Sequence, residues 1–304
     1  MRARILAANE ETFGRRRVGG GNAIRSAHVR VPVPLKSHGF TRVDDEPRPA
    51  DWVECLDRLH AEPFYREYKA RVRTLLAPRA TGLYLEVGAG VGTDALATGA
   101  NVIGLDRSLT MCRESRARGL TRSLVADAGE LPLRSGVVDG CWADRTFQHL
   151  SHPQRALEEL VRVMKPGATI VLVDPDYGTQ AMEFPDQGLA RKVLEFRANH
   201  ALRNGRLAHG IGRKFVEAGL EEVSVEERVL VVRDPTSVDN VMGLRTWART
   251  ASERGIMSDA EVRRWEALYD EVVADERFLW SVRFFITSGR KPVDPRCDAF
   301  GATE

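Results

Sequence analysis

The run Glu86-Val87-Gly88-Ala89-Gly90-Val91-Gly92 constrains this chain more than any other feature. It follows Leu83-Tyr84-Leu85, the start of a short β-rich run, and precedes a stretch of helical character. Glycines between a strand and a helix let the backbone turn sharply and approach a ligand closely. The spacing is G-x-G-x-G, not the G-x-G-x-x-G of dinucleotide-binding turns, and its helix end is not arranged for a pyrophosphate. Tight strand–helix packing is the other reading of the same turn.

The following residues repeat a strand, turn, helix rhythm. Asn101 to Leu105 reads as a second strand ending at Asp106, with Ser108 as the cap of a helix. Ser123 to Ala126 ends at Asp127, and Val137 to Ala143 ends at Asp144. A helix from His152 to Met164 stops at Lys165-Pro166-Gly167, and a fifth strand, Thr169 to Val173, ends at Asp174-Pro175-Asp176. Alternating strands and helices imply an α/β fold, a Rossmann-like parallel sheet with helices on both faces. Ligands in such sheets bind outside the carboxyl ends of the strands, so the acids gather at one rim. Asp106 there can accept bonds from both ribose hydroxyls, or it can be a plain helix-start residue. Asp127 can accept from an exocyclic adenine amino group, or it can be an ordinary loop residue.

Around this core, residues 1–48 read as a partly irregular N-terminal extension, and 49–80 as a helical cap. The core runs over 81–292, with helical insertions at about 177–220 and 235–276, and 293–304 form a tail. Of 304 residues, 43% are hydrophobic and 29% charged, which suits a soluble globular chain. No window reaches the roughly 18 consecutive apolar residues that a membrane helix requires. Net charge is +2, so the whole chain has no strong field for nucleic acid, although arginines crowd the first thirty positions. Cys55, Cys112, Cys141 and Cys297 include no C-x-x-C pair, and no cluster has metal-ligand spacing. With no secretory h-region, a cytoplasmic location is the expectation.

Four ordered segments then carry a resemblance: Glu86 to Thr93, Gly104-Leu105-Asp106, Ala126 to Leu133, and Val138 to Asp144. Together with Phe147-Gln148-His149-Leu150 and Leu157 to Gly167, they resemble class I S-adenosylmethionine-dependent methyltransferases. The nearest subgroup is the ubiquinone/menaquinone-type small-molecule enzymes. The similarity covers about residues 63–292. It implies seven strands with the last antiparallel, and S-adenosylmethionine as cofactor with S-adenosylhomocysteine as product. Gly88, Ala89 and Gly90 would face the methionine part, and Glu86 would contact it. Asp106 would hold the ribose, with Arg107 by the adenine and Asp127 and Ala128 on its edge. Asp144 and Arg145 would sit beside the sulfonium, where smaller residues than Arg145 are usual. Tyr65, on the helix before the core, would cover the cofactor or simply pack on the sheet.

Methyl transfer needs alignment of nucleophile, methyl and sulfur, and a base only where the nucleophile's proton blocks attack. His149 is the first candidate base, with Asp174 or Asp176 as its acidic partner; capping or cofactor contact is the other reading of His149. Tyr177, Phe184 and Trp247 are candidates to line an acceptor pocket, though each alone also suits a core. The expected activity is methylation of a small, hydrophobic or aromatic metabolite in bacterial specialised metabolism. A methyltransferase-fold cyclase, a nucleic-acid or protein methyltransferase and a non-enzymatic binding module remain alternatives. The N-terminal extension offers a route to a homo-oligomer.

Overall fold

The computed structural model describes Phe40, residues 42–235 and residues 243–293. The expectations for residues 1–39, for 236–242 inside the second insertion and for 294–304 lie outside the described residues. Two helices come first, α1 (Pro49–Ala61) and α2 (Pro63–Leu76), each with proline in its first turn, where its missing N–H costs nothing. There follow β1 (Leu83–Val87), α3 (Thr93–Ala97), β2 (Asn101–Asp106), α4 (Leu109–Ala117), β3 (Ser123–Val125) and β4 (Val138–Asp144). Next come α5 (Pro153–Val163), β5 (Met164–Met182), α6 (Gln187–Phe196), α7 (Ile211–Glu217) and β6 (Glu221–Val232). The chain closes with α8 (Trp247–Glu253), α9 (Asp259–Ala274) and β7 (Trp280–Arg290).

The seven strands form one sheet in the order β3-β2-β1-β4-β5-β7-β6. Strands β1 to β5 pair in parallel, and β7 runs antiparallel to both β5 and β6. The order reverses between β1 and β4, so their carboxyl ends open a crevice there. Side chains alternate across the sheet. Leu85, Val87, Cys141, Ala143, Ile170 and Leu172 face α5 and α7 on one side. Tyr84, Trp142, Val171 and Val173 face the other side, with α1, α2, α6, α8 and α9. Helix α5 shows the cause locally: Ala156, Leu157, Leu160 and Val163 form one apolar stripe, and all are buried. Each buried leucine there contributes roughly 1.5–3 kcal/mol.

Strand β5 departs from expectation. It does not end near Asp176 but continues to Met182, because β7 supplies ladder partners that far, with Asp176 opposite Arg283 and Met182 opposite Trp280. The helical run expected from 178 starts only at Gln187, where the Asp186 side chain accepts the Leu189 N–H. Asp174 is therefore inside a strand, not at its end.

Candidate active site

The glycine loop closes the crevice at the switch point. Gly88 has φ +73, and a Cβ there would lie 2.1 Å from Thr146 Oγ1. Only glycine fits, and the backbone is thereby left bare toward the crevice. Gly88 N–H and Ala89 N–H donate to the Leu105 carbonyl at 2.7 and 3.0 Å. Gly90 N–H donates to Asp106 Oδ2 at 2.8 Å, and Ser108 N–H to Asp106 Oδ1 at 2.9 Å. Asp106 thus ties the loop to the end of β2. Burial raises its pKa, against the opposing pull of the Ser108, Gly90 and Arg107 backbone bonds.

Glu86, 3% exposed, is held from two sides. Its Oε1 accepts Trp142 Nε1 at 3.1 Å, and its Oε2 accepts the Ala95 N–H in the first turn of α3 at 3.0 Å. Burial pushes its pKa well above the ordinary carboxylate range, with the nearby Asp94 charge adding to the effect.

A charged cluster covers the same end of the cavity. Asp144 accepts Tyr68 Oη at 2.8 Å and pairs with Lys69 Nζ at 3.1 Å and Arg145 Nε at 3.4 Å. Lys69 also pairs with Asp94, which His60 Nε2 approaches to 3.7 Å. Burial alone would raise the Asp94 pKa, but His60 and Lys69 outweigh it and hold the carboxyl low. The Arg145 guanidinium lies 4.9 Å over the Tyr65 ring.

One cavity joins these parts. Glu86, Gly88, Ala89 and Gly90 line it, as do Asp106, Arg107, Asp127, Ala128, Asp144, Arg145 and His149. Five of the other expected residues do not line it. Asp174, 1% exposed, accepts the Phe147 and Gln148 backbone N–H groups, each at 3.2 Å. Its oxygens hold the turn that carries His149 and are not aimed at an imidazole, because Asp174 lies within β5 behind that turn. Burial keeps its pKa well above the usual range. Tyr65 stands behind Arg145 as its aromatic support and is 3% exposed. The Arg197 guanidinium lies 5.0 Å from the Tyr177 ring and 4.9 Å from the Trp247 ring, and Phe184 stacks on Trp265 at 4.5 Å. All three are buried in the core shared by α6, α8 and α9, so their apolar surface is spent on packing.

Other residues line the cavity that the sequence reading did not single out for this site: Phe40, Val43, Leu56, His60, Asp94 and Met111 among them. Lys69 too was missed, although a signal existed. It sits on the α2 stripe with Tyr65, Tyr68, Val72 and Leu76, all buried, and a lysine on an apolar stripe needs a partner. Phe40 and Val43 carry no such signal, since they precede the first helix of the cap.

Comparison with known proteins agrees with this geometry. A family model described as a methyltransferase domain matches residues 85–172, which span β1 into β5. An uncharacterized 37.1 kDa protein in a transposon of Streptomyces fradiae is 30% identical over 78% of this chain and 72% of its own length. Demethylmenaquinone methyltransferase of Thermus thermophilus is 32% identical over 40% of this chain. The match spans 60% of that enzyme, under two thirds of it. Among solved structures, the [4+2]-cyclase SpnF shares the fold, with a TM-score of 0.50 and 22% identity over 76% of this chain and 82% of SpnF.

Proposed function

The chain belongs to the class I S-adenosylmethionine-dependent methyltransferases, and from that premise we propose that it methylates a small, partly apolar metabolite held against the carboxyl ends of β1 and β4. The observation that carries this reading is the convergence of the glycine loop, Asp106, Asp127, Asp144 and His149 on one cavity. The residues present fit the cofactor. The Gly88 site has no room for a side chain, so a ligand meets bare backbone. Asp106 accepts from Gly90 of the loop on Oδ2 and from Ser108 of the following turn on Oδ1, and keeps lone pairs for ribose hydroxyls. Asp127 and Ala128 would address the base edge, with Arg107 beside it. Glu86 and Asp144 would place carboxyl oxygens near the amino-acid end. S-adenosylmethionine supplies an electrophilic methyl group on a sulfonium that needs no further activation.

The chain's own contribution is then alignment and the exclusion of water. Phe40, Val43 and Leu56 give the cavity an apolar wall suited to an uncharged part of the acceptor. His149 is the group we assign to take a proton from the acceptor where one must leave. Asp174 acts as a positioning residue, since its carboxyl oxygens fix the backbone N–H groups of Phe147 and Gln148, just before His149. A nucleic acid is a poor acceptor for a chain of net charge +2. Bacterial small-molecule metabolism, specialised or quinone-like, is the setting we propose.

Incubation with methyl-labelled S-adenosylmethionine and fractionated bacterial small-molecule extract tests this. Label should pass to a low-mass product, and His149→Ala should slow it by about 10²-fold or more where a base is used. Cofactor binding without any methylated product would replace this reading with a rearrangement such as cyclisation. Label in RNA or protein would replace it with a macromolecular acceptor.

A further inference from the structure

Methyl transfer as described leaves Arg145 without a task. Its backbone has φ +52, a region that L residues other than asparagine, aspartate and histidine seldom enter. The turn around it is over-determined. Arg145 N–H donates to the Val173 carbonyl at 2.6 Å, and Gln148 Nε2 donates to the Arg145 carbonyl at 3.0 Å. Thr146 Oγ1 donates to the Val87 or Asp144 carbonyl, at 3.2 and 3.1 Å, and Asn204 Nδ2 donates to the Phe147 carbonyl at 2.9 Å. Strain held in this way clusters at functional sites. Glycine would meet the backbone demand without strain, so it is the arginine side chain that needs an explanation.

That side chain is 15% exposed and lines the cavity. Its guanidinium carbon lies 4.9 Å over the Tyr65 ring, which holds the side chain in place. Its one hydrogen bond to an acid, Nε to Asp144, is long at 3.4 Å. Asp144 has shorter partners in Tyr68 and in Lys69, which it shares with Asp94, so the Arg145 contact is the longest of the three on Asp144. Among the described residues neither Nη of Arg145 has a hydrogen-bond acceptor. A guanidinium stays charged and presents a fork matched to a carboxylate.

Resting on the methyl-transfer reading of this cavity, we propose that Arg145 is a specificity residue that receives an ionised carboxylate on the methyl acceptor. The cofactor also carries a carboxylate, but its zwitterion and sulfonium together bring a net positive charge. The Arg145 Nη fork lines a cavity into which the cofactor would bring net positive charge, so a further anion is its matching ligand, and the acceptor supplies it. The position agrees, since Arg145 shares one rigid turn with His149, the residue assigned to the acceptor side. The acceptor is then a molecule with an apolar part for Phe40, Val43 and Leu56 and a carboxylate for Arg145.

The test is calorimetry on the protein saturated with S-adenosylhomocysteine. The titrants are matched pairs: benzoate and benzamide, phenylacetate and phenylacetamide, butyrate and butyramide. At least one carboxylate should bind about tenfold or more tightly than its amide, as expected for hydrogen bonds to a charged group. Arg145→Gln should erase that preference, and Arg145→Lys should keep part of it. Both variants should hold S-adenosylhomocysteine within about threefold of the parent, which also shows that they fold. Absence of any carboxylate preference in the parent, or its survival in Arg145→Gln, overturns the assignment. So does a loss of about tenfold or more in S-adenosylhomocysteine affinity in Arg145→Gln, which would place Arg145 on the cofactor. A parent protein that binds no S-adenosylhomocysteine refutes the methyl-transfer reading itself, a different failure from a missing carboxylate preference.

Discussion

Gly88 and Arg145 share the left-handed region of backbone for opposite reasons. Gly88 is there because a Cβ would strike Thr146, whereas Arg145 is held there although its own Cβ opposes it. Lys69 is a third residue whose cost is visible. Its side chain is 7% exposed, and its ammonium bridges Asp94 and Asp144. Lys69→Met would leave two buried carboxylates without their main cation, so chemical denaturation should show a loss of about 3–5 kcal/mol. A loss below about 1 kcal/mol, the range of surface pairs, would mean that solvent reaches this cluster freely. At this scale the sequence was legible where geometry dictates residue type. Gly88, Gly90 and Asp106 could be placed because a strand–turn–helix joint admits few alternatives. Asp174 was misread because a strand-end acid and a mid-strand acid look alike until the partner strand is known. Tyr177, Phe184 and Trp247 lie in the core and not on the cavity, the other of the two readings open for each, since an aromatic residue suits a core as well as a pocket.

Among the elements, α4 shows how the cap and the core are joined. Its N-cap Ser108 accepts the Met111 N–H, and the short turn Val43–Asp45 docks on the same end. Asp44 accepts the Ser108 hydroxyl, the Leu109 N–H and the Thr110 N–H at 2.8–2.9 Å. Burial alone would raise the Asp44 pKa, but these hydrogen bonds outweigh it and lower it from 3.8 to about 2. The sign follows from linkage. A depressed folded-state pKa contributes stability above the unfolded value of 3.8, and that contribution is lost as pH falls toward about 2. Asp44→Asn should therefore show a shallower loss of stability with acid than the parent over that window, measured by thermal melts at stepped pH. Identical acid profiles would remove this carboxylate from the acid response. The core elements from β1 to α5 were legible from period and caps. The end of β5 was not, because its length is set by the distant β7, whose Trp280 pairs with Met182.

For the whole molecule, the strand order β3-β2-β1-β4-β5-β7-β6 puts its switch point where the glycine loop, the β4 turn and the cap helices meet. Five of those strands, and the acidic residues that close the first four, could be read in order, which is why the cofactor class was legible. The side we propose for the acceptor was not, because the cavity wall there is lined by Phe40, Val43 and Leu56 ahead of the core and by the β4 turn, whose shape depends on Asp174 and Asn204. The central claim is that this crevice holds S-adenosylmethionine through the loop and Asp106. Calorimetric titration with S-adenosylhomocysteine, of the parent and of Asp106→Ala, tests it most directly. Saturable one-to-one binding by the parent, weakened by roughly 10- to 100-fold in Asp106→Ala, is the predicted result. No saturable binding by the folded parent, or equal affinity in both proteins, would contradict it.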